Sequence, residues 1–335
     1  MVLQEFAQNL LPDVISGEDL YCMLKLASQK LEKFIDILND VNVFPVPDGD
    51  TGFNMHQTFK SIIKELNNLE IHNNFGKVIS AASKGAFFGS IGNSGIILAE
   101  YFRGLEQEWN EFDSIGREVL SSGLFSGAKC AYQAVENPRE GTILTIARII
   151  AETAKEWQHK VKSPFELLYI ALEEAKAALL DTHRILPQAN LAGVIDAGAM
   201  GLMIIFEGFI EGMVDRFPSD VLPLHVIDDD LAPFLKPRID FSMTEEEFEV
   251  IFRISGLKKS IEFLKAKLKK ECTCVLVLTK ESISKIKVHI HCKDPDLVIS
   301  NVRDYVSQVE VDSIKSLNEQ NYLLSKRIRS KETGD

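Results

Sequence analysis

Two carboxylates, Asp48 and Asp50, flank a single glycine in the turn Pro47-Asp48-Gly49-Asp50-Thr51-Gly52. Hard oxygen ligands at that spacing suit Mg²⁺, which keeps several waters and bridges to substrate phosphates. Gly49, Thr51 and Gly52 add backbone amides that can approach an anion closely before Phe53 and Met55 begin a helical pattern. An Asp-Gly-Asp by itself is more often an ordinary solvated turn. Here Val43, Phe44, Pro45 and Val46 precede it and predict a loop fixed by burial, and loops of similar chemistry follow downstream.

The second such loop runs from Gly89 to Gly95, with Asn93 and Ser94 at a helix entrance. A third, Pro138 to Thr145, presents Thr142 and Ile143, and a fourth, Val194 to Gly201, presents Asp196, Ala197 and Gly198. Singly, Ser94, Thr142 and Asp196 serve as readily as helix N-caps as they would as ligand contacts. As a set, four Gly-marked helix entrances predict convergence at one end of a helical domain, where they could cradle a nucleotide without a P-loop. Further on, His289 and His291 alternate along a strand and share one face. Two imidazoles so placed can bind Zn²⁺ with a third ligand from a neighbouring strand, although an isolated His-x-His is more often a pair of plain strand residues.

The elements that must position these groups fall into two sets. From Asp19 to about Asp215, apolar residues recur at helical spacing, as in Leu24, Leu31, Phe34, Ile35 and Leu38. Similar patterns over about 52–68, 76–88, 94–109, 114–135, 141–158, 164–181 and 198–214 make eight helices, a bundle or helical barrel over residues 1–215. Four prolines between 216 and 240 mark a linker. Strand-like alternation in Phe248–Ile254, Cys272–Leu278, Lys285–His291 and Val309–Val311, with helical patterns between, predicts a βαββαβ, ferredoxin-like α+β domain over 241–325. Residues 326–335 read as a solvated tail.

Composition narrows the class. A formal net charge of −12 disfavours nucleic acid and anionic membrane surfaces as partners. No apolar run reaches the roughly 18 to 20 residues of a transmembrane helix. The start of the chain lacks the pattern of a signal peptide, and five scattered cysteines do not form a secreted disulfide framework. The expected compartment is the cytoplasm.

The turn from Asn42 to Met55, Lys84 to Gly89 with Gly92 to Gly95, Ala131 to Val135 with Glu140 to Thr145, and Leu186-Pro187 with Asp196 to Gly198 together resemble the nucleotide-binding L subunit of dihydroxyacetone kinases, and specifically the catalytic subunit of fatty acid kinases. The resemblance implies an eight-helix barrel with nucleotide at one end. It makes Asp48 and Asp50 the catalytic Mg²⁺ ligands, with Asn42 near the place of a third family aspartate. It puts Thr51, Gly52 and Asn54 on the phosphates of ATP or ADP, Asn93 and Ser94 opposite, Thr142 and Ile143 on the nucleotide body, and Asp196, Ala197 and Gly198 on the far wall. Ile91 departs from the pattern, which has an arginine there.

Lys287 to His291 with Asp294-Pro295 resembles the middle domain of the same family, and that resemblance implies a metal at His289 and His291. Glu249 stands where the family has a cysteine, with Cys272, Cys274 and Cys292 as other sources of a third Zn²⁺ ligand. The implied activity is ATP-dependent phosphorylation of a fatty acid carboxylate presented by a separate lipid-binding carrier protein. Two readings stand beside it: a dihydroxyacetone kinase L-type subunit, and a non-catalytic nucleotide-binding regulator or scaffold. A homodimer is left open.

Overall fold

The computed structural model describes residues 12–214, 228–237, 247–280 and 283–333. In chain order the first part comprises β1 (Ile15–Ser16), α1 (Gly17–Asp40), α2 (Thr51–Leu66), α3 (Phe75–Gly89), α4 (Gly92–Trp109), β2 (Ser114–Ile115), α5 (Arg117–Ala134), α6 (Ile143–Trp157), α7 (Pro164–Ile185), the short α8 (Pro187–Ala192) and α9 (Ala197–Val214). The eight expected helices are all present.

Local chemistry starts them. Ser16 and Asp19 form a reciprocal capping box at α1, while Asn74 and Ser163 cap α3 and α7. α9 is apolar on nearly every side, and a helix of that composition belongs in an interior. It lies along α1, where Gly208 and Gly212 let the two backbones approach. A Cβ on Gly208 would come within 2.5 Å of Ala27 Cα, and one on Gly212 within 2.4 Å of Met23 Cα. Leu24, Leu31, Leu38, Met55, Phe59 and Ile204 fill the core around this pair.

The second part comprises β3 (Phe248–Ser255), α10 (Ile261–Leu268), β4 (Cys272–Lys280), β5 (Ile283–Cys292), α11 (Pro295–Arg303) and β6 (Gln308–Ser316). Its antiparallel sheet has the order β4-β5-β3-β6, the expected ferredoxin-like arrangement. Alternation gives the sheet two buried faces. Val250, Phe252, Val288 and Ile290 pack under Leu264, Leu268, Val298 and Val302 of the two helices. On the other face, Leu276 and Leu278 join the core of the helical part.

Two segments differ from expectation. Most of the linker at 216–240 lies outside the described residues, but its described portion is seated on the helical part: Leu231 is buried, Asp228 pairs with Lys176, and Phe234 stacks on His183. The solvated tail expected at 326–335 is, as far as Thr333, the end of a helix, α12 (Leu317–Thr333). Leu324 is buried, and Arg327 pairs with Asp40 at 2.9 Å.

Candidate functional site

The four helix entrances do converge. Thr51, Asn93 and Ser94, Thr142 and Ile143, and Asp196 and Gly198 line one cavity of about 480 Å³, with Thr273 to Leu276 of β4 and His291 of β5 forming a further wall. Gly52, Asn54 and Ala197 stand behind that lining. Gly52 is pressed against α1, where a Cβ would meet Ile35 O at 2.4 Å.

The Asp48–Asp50 loop is organised by two asparagines. Asn42 Oδ1 accepts from the N–H groups of Asp50 (3.2 Å) and Thr51 (2.9 Å), and its amide nitrogen donates to Val46 O. Asn39 Oδ1 accepts from the N–H groups of Gly52 (2.8 Å) and Phe53 (3.2 Å). The first-turn donors of α2 are thereby satisfied. The amides of Thr51 and Gly52 therefore have acceptors within the protein, and the side-chain amide of Asn42 is used within the loop. Asn54 likewise donates to Asp50 Oδ1 at 2.7 Å and braces the acid.

The entrance of α4 is different. It has no side-chain cap, Gly92 turns with φ of 62°, and the buried Ser94 Oγ has no hydrogen-bond partner. Its first-turn amides have no side-chain acceptor, and the Ser94 hydroxyl is left without a partner, the features of a helix entrance suited to an anion. Thr142 is already occupied: its hydroxyl donates to Arg139 O and accepts from Leu144 N–H. Asp196 accepts from Ala199 N–H at 2.8 Å, and burial pushes its carboxyl up to about 7.

Across the sheet face that meets the barrel, the strand registers set Cys274, His291, Glu249 and Lys315 in one row. A bulge between Cys272 and Cys274 creates this register, with Cys272 opposite Cys292 and Cys274 opposite His291. Sulfur and ring-nitrogen atoms of Cys274, His289 and His291 lie within 4.8 Å of one another. His289 is fully buried, yet neither ring nitrogen has a hydrogen-bond partner. Glu249 Oε1 is 3.5 Å from His289 Nδ1, on the other side of the ring cluster. Cys274, one of several candidates in the sequence, is therefore the residue that stands with the two histidines, and its thiol also donates to Asn93 Oδ1 at 3.3 Å.

Burial sets the charges. It pulls His289 and His291 down to about 3, assisted by Lys287 beside the first and His289 beside the second, so both rings are neutral near pH 7. It pushes Cys274 up to about 12, with Glu249 adding to the effect. Burial, then Asp50 and Glu249, holds Asp48 well above the usual carboxylate range. Asp50 is pushed up to about 6 by burial and Glu249, against the pull of Lys315.

Lys287, Lys315 and Gln320 were not singled out in the sequence for a role of their own. Lys287 Nζ, on a buried side chain, donates to Phe88 O at 3.2 Å and to Ser90 O, fastening the sheet to the end of α3. Gln320 of α12 donates to Asp50 Oδ2 at 3.4 Å, and Asn321 donates to Pro47 O at 2.9 Å.

The helical part and the sheet that closes its cavity each match a kinase-family domain. Residues 45–211 match the DAK2 domain, and residues 245–322 match the FakA-like middle domain of fatty acid kinases. The chain belongs to the family that joins these two kinase-family domains. It is similar to protein YloV of Bacillus subtilis (strain 168), 31% identical over 314 residues that cover 91% of this chain and 56% of YloV. It is also similar to an uncharacterized protein of Staphylococcus aureus (strain USA300), 29% identical over 316 residues with the same coverage of each chain. The chain thus spans about half the length of these curated relatives. The crystal structure of the dihydroxyacetone kinase from C. freundii in complex with AMP-PNP and Mg²⁺ superposes with a TM-score of 0.45 at 19% identity, covering 61% of this chain and 36% of that one. Among the described residues no helix is long and apolar enough to cross a membrane.

Proposed function

We propose that the protein is a nucleotide-dependent phosphotransferase that moves the γ-phosphoryl group of ATP to the carboxylate of a fatty acid held by a separate lipid-binding protein. The observation that carries this reading is the single cavity where Thr51, Ser94, Thr142 and Asp196 converge from four helices beside the Asp48–Asp50 loop. The middle domain matched at 245–322 supports the acyl substrate over dihydroxyacetone.

Asp48 and Asp50 fit a hard divalent cation: the two buried acids lie close enough to repel each other, Asn42 and Asn54 hold Asp50 in place, and the Lys315 ammonium is 3.9 Å from Asp50. Bound there, Mg²⁺ supplies neutralisation of the phosphate charge that builds during transfer. Ser94 and the uncapped entrance of α4 bind phosphate oxygens. Val46, Ile97, Val135 and Leu276 wall the cavity against water. A fatty acid carboxylate is already a nucleophile at neutral pH, so no general base is required. Its oxygen attacks the γ-phosphorus, the bond to the bridging oxygen breaks, and ADP leaves with an acyl phosphate as the other product.

Cys274, His289 and His291 fit a zinc ion, because two neutral imidazoles, that of His289 without a hydrogen-bond partner at either nitrogen, and one thiol are a common Zn²⁺ donor set. Its place beside Asn93 gives it a structural role in holding the phosphate side of the cavity. Metal analysis of protein purified without chelator should find zinc that a His289→Ala/His291→Ala variant lacks; equal metal in both removes this assignment.

Calorimetry with Mg·ATP tests the main reading. Asp48→Ala or Asp50→Ala should abolish the Mg²⁺-dependent part of binding while the helical circular dichroism persists, and undiminished affinity in both rejects the assignment. Binding without transfer to any fatty acid, with the lipid carrier present, would make the protein a nucleotide-binding regulator instead.

A further inference from the structure

Glu249 lies near the start of β3 with its side chain 2% exposed. Its register partners are His291 on one side and Lys315 on the other. The two carboxylate oxygens face different chemistry. Oε1 looks at His289 Nδ1, whereas Oε2 has no hydrogen-bond partner and lies 3.6 Å from Lys315 Nζ. The same ammonium is 3.9 Å from Asp50 Oδ2.

A buried carboxylate persists only when its charge is compensated. Lys315 compensates it loosely, since both contacts exceed hydrogen-bond length and its side chain is 37% exposed. Among the described residues, the Lys315 ammonium acts on three acids, Asp48, Asp50 and Glu249, two from the barrel and one from the sheet. A divalent cation is the partner that would compensate these acids in their ionised form. Asn42 cannot complete such a site, because its amide is spent on Asp50, Thr51 and Val46.

We infer that Glu249 is the third carboxylate of the Asp48–Asp50 cation site, reaching the ion through one of its water ligands, and that Lys315 is a built-in ammonium that competes with the ion for this place. The inference rests on the reading of Asp48 and Asp50 as the divalent-cation ligands. A water-bridged contact suits Mg²⁺, which gives up its hydration reluctantly. Asp50 and Glu249 are separated by no more than the two Lys315 contacts laid end to end, a span for an ion and its water. Loading the cation then ties the sheet to the barrel loop. Because Oε1 faces His289, the same residue also couples this site to the Cys274–His289–His291 cluster, in the way outer carboxylates orient metal-bound imidazoles.

The test is Mn²⁺ and Mg²⁺ affinity of the full chain without nucleotide, by electron paramagnetic resonance of free Mn²⁺ and by calorimetry, for wild type, Asp50→Asn, Glu249→Gln and Lys315→Met. Asp50→Asn should lose the site. Glu249→Gln should weaken binding by about tenfold, the usual effect of losing an outer carboxylate. Lys315→Met should tighten it several-fold, an outcome that misfolding cannot produce. Wild-type affinity in Glu249→Gln alongside loss in Asp50→Asn overturns the role of Glu249 and leaves the Asp48–Asp50 reading intact. Retained binding in Asp50→Asn overturns that reading and the inference with it. Weaker or unchanged binding in Lys315→Met overturns the competition.

Discussion

Asp196 is a single acid whose surroundings favour its neutral form. Burial raises it to about 7 from the ordinary 3.8, even though it accepts the Ala199 N–H. The folded protein thus holds this proton more tightly than the unfolded chain does. The stabilisation this provides is complete below about pH 4 and is lost as pH rises through 7. Asp196→Asn keeps the cap acceptor but has no charge to bury. It should raise the stability of the apo protein at pH 8 by roughly 2–4 kcal/mol, the scale set by about 1.36 kcal/mol for each tenfold change in proton affinity. The gain should fade towards pH 4. Thermal melts across that range decide it, and a gap that stays constant with pH would remove burial as the cause.

The same logic separates helix entrances that look alike in sequence. Ser94 and Thr142 both precede apolar helical runs, and both residues line one cavity. Thr142 is a working cap, so Thr142→Ala should cost the apo protein about 1 kcal/mol. Ser94 Oγ caps nothing, so Ser94→Ala should leave apo stability unchanged and weaken ATP binding by about 0.5–1.5 kcal/mol. Paired melts and nucleotide titrations read both, and equal losses of apo stability would show that Ser94 is also a cap. The eight helices and the βαββαβ order were legible because apolar periodicity is local. The capping of α2 was not: its donors are met by Asn39 and Asn42 from before the loop. Nor was the choice of Cys274 over Cys272 and Cys292, which depends on a bulge that shifts β4 by one residue against β5. Residues 326–333 are polar in sequence, and their helix is held by contacts to distant residues such as Asp40, which no local pattern reveals.

At the scale of the whole molecule, the site exists only because the two parts are joined. The barrel supplies the helix entrances and the Asp48–Asp50 loop, while the sheet supplies a cavity wall, the Cys274–His289–His291 cluster and Glu249. Lys287 fastens β5 to the end of α3, Lys269 pairs with Glu136 at 2.6 Å, and α12 crosses the loop to reach Asp50 and Pro47. The apolar contribution comes from Leu276 and Leu278, which are 3% and 1% exposed and pack in the barrel's core although they belong to the sheet. Burial of this kind predicts one cooperative unfolding transition. Both tryptophans, Trp109 and Trp157, lie in the helical part, so their fluorescence reports on that part alone. Leu276→Ala should nevertheless lower the stability read by tryptophan fluorescence in urea by about 2–5 kcal/mol, the usual cost of a leucine-sized cavity. A tryptophan transition that stays at its wild-type midpoint, while circular dichroism shows a separate loss at lower urea, would mean that the sheet detaches first and the barrel stands without it.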